Sequence, residues 1–124
     1  MSLGDPIILE HTLKGDQHAA LLELARRLHE RYGLVLERLV VFGSRARGDA
    51  SEESDLDLLV TLRCGAGKMV EEERAIWGLA EAVMSERRVF LPLSLVILAA
   101  EQFTELLAHE RRFALDVTTE GIAL

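Results

Sequence analysis

The sequence predicts a small α/β (α+β) domain, a mixed β-sheet of three or more strands with helices packed against it. Three observations carry that expectation. Residues 39–42 form an apolar run rich in β-branched and aromatic side chains that stops at Gly43, as a buried strand does when the chain must turn sharply. Residues 55–60 set Asp55 and Asp57 alternately with Leu56 and Leu58, the period of a strand with one face buried. Residues 89–98 form a third apolar run, set apart from the others by helical patterns. The link between the first two strands is shorter than the dozen or more residues of a right-handed crossover, so the sheet is not expected to be parallel throughout.

The 124 residues suffice for one domain with one hydrophobic core, spanning 1–124. Residues 1–15 hold a short apolar patch at Ile7, Ile8 and Leu9 among polar and turn-forming residues, and are read as an N-terminal extension without an assigned role. From Asp16, a suitable N-cap, Leu21, Leu24, Ala25, Leu28 and Tyr32 recur at helical spacing until Gly33 ends the helix. Residues 34–38 lead into the first strand. After the second strand, residues 63–67 form a glycine-bearing loop, and a helix follows over 69–86 with Val70, Ile76, Trp77, Ala80, Val83 and Met84 as its apolar stripe. Trp77 is expected in the core. Pro92 marks the first half of the third strand as an edge or a bulge. A last helix is expected over 101–117, with Phe103, Leu106, Leu107, Phe113 and Ala114 facing inward, before a short terminal extension lying against the sheet or a partner.

Composition narrows the function classes. A net charge of −7 argues against general affinity for nucleic-acid backbones, which needs clustered cations to displace counterions. One cysteine, Cys64, allows no intrachain disulfide and fits a reducing compartment. The four histidines show no ligand spacing. Neither a signal peptide nor a membrane span can be drawn, so the expected location is the cytoplasm, as a monomer or a small homo-oligomer.

The chemistry concentrates in residues 39–60. Gly43 lets an anion approach the backbone, and Ser44 is placed to cap a helix of barely two turns whose first N–H groups lack intrahelical partners. Such a turn is an anion cradle, with Arg45 and Arg47 supplying mobile positive charge and Gly48 ending the helix. A polar connection, residues 49–54, leads to Asp55 and Asp57, which share a face roughly 6.5–7 Å apart along the backbone. Paired carboxylates suit a hard divalent cation such as Mg²⁺, which takes one or two carboxylates plus phosphate oxygens. A phosphate cradle joined to a carboxylate pair points to phosphoryl or nucleotidyl transfer.

These residues, Gly43-Ser44-x-Ala46-Arg47-Gly48 followed by Ser54-Asp55-x-Asp57, closely resemble the signature of the DNA polymerase β-like nucleotidyltransferase superfamily, and the small size resembles its minimal members from bacteria and archaea. The resemblance implies that family's fold and a nucleotidyl transfer from ATP or another nucleoside triphosphate, with Mg²⁺ or Mn²⁺ as cofactor. Asp55 and Asp57 would hold the metal and act as the catalytic carboxylates, and Gly43, Ser44, Arg45 and Arg47 would bind the nucleotide. It also implies a partner, since minimal nucleotidyltransferases are often paired with a helical HEPN-domain toxin whose tyrosine they adenylylate. One departure stands out. Competent members draw a third acidic residue from the third strand, where the best-aligned position here is Ser94, a neutral group unable to serve as a base. A non-catalytic or weakly catalytic antitoxin, holding a helical partner and retaining a regulatory or vestigial nucleotide site, is therefore an alternative. A small-molecule transferase completed by a second subunit is a third.

Overall fold

The computed structural model describes residues 4–51 and 53–124. Residues 1–3 of the N-terminal extension and Glu52 of the 49–54 connection lie outside them. Among the described residues six α-helices and four strands follow one another: α1 Ile7–Thr12, α2 Gly15–Tyr32, β1 Leu36–Phe42, α3 Ser44–Arg47, β2 Leu56–Leu62, α4 Met69–Arg87, β3 Leu93–Ala99, α5 Ala100–His109, α6 Arg111–Thr118 and β4 Ile122–Ala123. The sheet order is β3-β2-β1-β4. β1 pairs antiparallel with β2 and with β4, while β2 and β3 run parallel, so the sheet is mixed as the short first connection requires.

The alternation of side chains along β1 and β2 splits the interior into two layers. On one face Leu39, Val41, Leu56, Leu58, Val60 and Leu62 pack with buried residues of α1, α2 and α4. On the other, Val40 and Leu59 pack with Phe103 of α5 and Val117 of α6, flanked by Phe42, Phe113 and Val96. Phe113 meets both Phe42 and Phe103 edge-on, with ring centroids 5.5 and 6.1 Å away, a geometry in which the positive ring edge faces the negative face. This second face carries Asp57, because Asp57 pairs with Phe42 across β1 and with Ser94 across β3.

Several expectations need correction. The N-terminal extension is part of the core: α1 is a helix of six residues, too short to show periodicity, yet Leu9 and Leu13 are buried. β1 begins at Leu36, three residues before the apolar run expected to open it. In α4 only the stripe through Met69, Ile76, Ala80 and Val83 is buried. Val70 and Trp77, seven residues apart and about 100° round the helix from that stripe, face outward, with Trp77 38% exposed and not in the core. The expected helix over 101–117 is two, broken at Glu110, whose extended backbone (φ −111°, ψ 90°) swings α6 across the sheet. No Gly or Pro marks that break. The terminal extension does lie against the sheet, as β4.

An ion-pair network ties α2 to α4. Glu23 accepts hydrogen bonds from Arg26 at 2.9 Å and Arg27 at 2.8 Å, and Arg27 also reaches Glu86 of α4 at 2.5 Å. Hydrogen bonding to Arg26, then to Arg27, pulls the Glu23 carboxyl down from 4.5 to about 2. A carboxylate whose folded pKa is depressed adds stability above its ordinary pKa and loses it as pH falls through the folded value. The Glu23→Gln variant should therefore melt below the native chain at neutral pH, with the gap closing between about pH 4.5 and 2 in thermal melts. A gap independent of pH would show that the network contributes by packing and not by charge.

Candidate active site

The site forms where the end of β1 meets the start of β2. Gly43 occupies the N-cap position of α3 with φ 76° and ψ −155°, a conformation a residue with a Cβ rarely adopts. Glycine is required for a second reason: a Cβ there would lie 2.3 Å from Asp57 Oδ2. The turn backbone and the carboxylate are thus in direct apposition. Gly43 takes the cap position expected of Ser44, which becomes the first residue of α3. The Gly43 carbonyl accepts from the N–H groups of both Ala46 and Arg47 at 3.1 Å, closing a single helical turn where nearly two were expected. Gly48, left-handed at φ 83°, ends it.

Asp55 lies exposed just before β2, and Asp57 is half-buried within it. Desolvation, followed by the charge of Asp55, pushes the Asp57 carboxyl above its usual range, and Asp116 adds a smaller push. Ser94 and Arg47 act in the opposite direction, favouring the ionised form. A half-buried carboxylate, disfavoured by burial and by a second carboxylate, is a group that a cation would stabilise. The donor set fits Mg²⁺ or Mn²⁺ in the mode that uses two carboxylates and leaves other positions to phosphate and water. Among the described residues no three His, Cys, Asp or Glu side chains gather to hold a metal by themselves.

The two arginines of the signature part company. Arg45 is not the mobile cation expected beside the cradle: it is 4% exposed. Its Nη1 donates to the Thr12 carbonyl and its Nη2 to the Ser54 carbonyl at 2.9 Å, so it fastens α1 to the connection that leads into β2. Its role is to hold the carboxylate-bearing strand in place. Arg47 is the arginine open to solvent, its side chain 29% exposed, ringed by Asp49 at 3.3 Å, Asp116 at 3.7 Å and Glu120 at 3.8 Å. Hydrogen bonding to Asp49 contributes most to raising its pKa. Asp116 and Glu120 come from α6 and the turn before β4. Nothing in their local sequence marks them, since only the break at Glu110 and the return of the chain as β4 bring them to Arg47.

Ser94 stands directly across the parallel β2–β3 ladder from Asp57. The position from which a third strand-borne carboxylate would face the pair is therefore filled by a hydroxyl. A cavity of about 710 Å³ lies elsewhere, between α1 and the α3–β2 connection, and none of Asp55, Asp57 and Ser94 lines it.

The glycine turn and the strand carboxylate both fall within residues 21–105, over which the sequence matches the nucleotidyltransferase domain. The chain belongs to the nucleotidyltransferase domain family. That span runs from α2 through the cradle, Asp55, Asp57 and Ser94 into α5, leaving α6 and β4 beyond it. A Methanocaldococcus jannaschii protein named "putative protein adenylyltransferase" is 38% identical over 45 residues, a stretch that covers 36% of this chain and 45% of that protein. The match thus spans less than half the length of that relative. A crystal structure described as a "putative nucleotidyltransferase" from Sulfolobus solfataricus aligns over 90% of this chain and 87% of its own, with 16% identity and a TM-score of 0.44. Among the described residues no helix is long and apolar enough to cross a membrane.

Proposed function

We propose that this nucleotidyltransferase domain transfers AMP from ATP to a hydroxyl of a protein acceptor. The observation that carries the reading is the apposition of Gly43 to Asp57, which would bring the phosphate chain and the metal-binding carboxylates to one point. Gly43 and Ser44 cradle the triphosphate, Arg47 pairs with its outer phosphates, and Asp55 and Asp57 hold Mg²⁺ or Mn²⁺. Bound there, the cation supplies neutralisation of phosphate charge and a lowered pKa for a hydroxyl beside it. The acceptor oxygen attacks the α-phosphorus as its proton passes to solvent, the bond to the bridging oxygen breaks, and pyrophosphate leaves with that electron pair. Positioning and charge compensation by the protein supply most of the rate.

The acceptor we favour is a tyrosine of a HEPN-type helical partner, acting in the cytoplasm. The name of the M. jannaschii relative agrees in class. A second reading rests on Ser94: with a hydroxyl where a base would stand, the domain acts as an antitoxin that binds its partner and retains a nucleotide site of little or no turnover.

Thermal-shift titration with ATP, with and without Mg²⁺, on the native chain and on an Asp55→Ala, Asp57→Ala double variant tests the nucleotide site. A ligand at 100 times its Kd adds about 2.7 kcal/mol to the form it binds. Stabilisation of the native chain only with metal, and none of the double variant, is the expected result. A native chain indifferent to Mg-ATP would overturn the proposal and leave a protein-binding module.

A further inference from the structure

The carboxylates around Arg47 occupy the positions at which an anionic ligand would meet its guanidinium. Resting on the nucleotide reading above, we propose that Asp116 and Glu120 stand in for the triphosphate in the free chain, holding Arg47 until nucleotide takes their place. Three features support an exchangeable contact. First, Arg47 Nη1 lies 3.7 Å from Asp116 Oδ1 and 3.8 Å from Glu120 Oε2, beyond hydrogen-bond reach. Both oxygens are buried and accept no hydrogen bond among the described residues. The pairing is therefore a loose charge contact, without the fork of short hydrogen bonds that makes an arginine clamp strong.

Second, Asp116 has another cation within reach, Arg112 Nε at 3.4 Å, one turn back on α6. When Arg47 leaves, Asp116 keeps a partner. Third, Arg47 lies one helical turn from the cradle, its backbone N–H donating to the Gly43 carbonyl at 3.1 Å. A guanidinium in that place need not travel far to meet phosphates bound at Gly43. The α6–β4 segment, which lies beyond the stretch matching the family, thereby sets the affinity of the site without touching the nucleotide.

The test is the Kd of Mg-ATP, by calorimetry, for the full native chain and for Asp116→Asn, Glu120→Gln, Arg47→Ala and the Arg47→Ala, Asp116→Asn double variant. Freeing Arg47 from a partly exposed pair should tighten binding roughly two- to fivefold in each of the two carboxylate variants. Because the effect runs through Arg47, it should vanish in the Arg47→Ala background. Glu120→Gln, in the turn before β4, carries the test if Asp116→Asn folds poorly. Unchanged or weakened binding would overturn the proposal and make the carboxylates simple supports for Arg47. Equal tightening with and without Arg47 would also overturn it, as plain repulsion of an anion. Failure of the native chain and all variants to bind Mg-ATP would instead remove the nucleotide reading on which the proposal rests.

Discussion

Replacing Asp57 by asparagine should lower nucleotidyl transfer by about 10³-fold, the size of effect seen when one preorganised charge-stabilising group is removed from an active site. Asparagine keeps the shape of the side chain against Gly43 and removes only the charge. The free chain should not suffer. Burial and the neighbouring Asp55 already disfavour the ionised carboxylate in the fold, so its removal relieves a folded-state penalty at neutral pH. Expected, then, is a variant that melts at or above the native temperature without nucleotide and fails to move label from the α-phosphate of ATP to the acceptor. The pair of readouts separates lost chemistry from lost structure, the trade between activity and stability expected where a site holds groups the fold would prefer neutral. Transfer at the native rate would show that Asp57 does not carry the reaction.

Legibility in the sequence followed the range of the interactions. β1, the turn and β2 were readable because each is specified by neighbours a few positions away: the run into Gly43 and the alternation of Asp55 and Asp57 with Leu56 and Leu58. The mixed sheet was readable because the length of a connection bounds the strand directions it can join. The outward turn of Trp77 was not, because an apolar stripe is a count of residues on a helix face, and only docking against the sheet decides which part is covered. Nor was the burial of Arg45. Its spacing to Arg47 is two, which on a single helical turn sends the two side chains to different sides, and α1 supplies the carbonyl that draws Arg45 inward. That helix has no periodic signal of its own.

The place of Ser94 was legible only in part. Aligning a short strand leaves an uncertainty of one position, and one position in a strand is the difference between the two faces of the sheet. The parallel register resolves it: Asp57 pairs with Ser94, while Leu93 and Leu95 pair with Leu56 and Leu58 and belong to the opposite face. Asp116 and Glu120, by contrast, were invisible. Their contacts with Arg47 span about seventy positions in the chain and depend on the break at Glu110 and on the two residues of β4 that pin the C-terminus beside β1.

The same register makes Ser94→Asp the most informative gain-of-function experiment. A carboxylate at this position would share the face and the level of Asp57, where it could help hold the cation and accept the proton of the attacking hydroxyl. A positioned general base is worth roughly 10²–10⁴-fold, and a site not built around one should recover the lower end, so transfer is expected to rise about 10²-fold. The cost falls on the free chain. Ser94 currently favours ionised Asp57, and a third carboxylate beside the pair would replace that help with repulsion, so the variant should melt lower without metal and regain the difference with Mg²⁺. Metal-rescued stability with an unchanged rate would mean that the new carboxylate reaches the cation while the acceptor hydroxyl is activated by a group elsewhere. A faster rate would place the native chain's limit at Ser94 itself, one side chain short of a fast transferase.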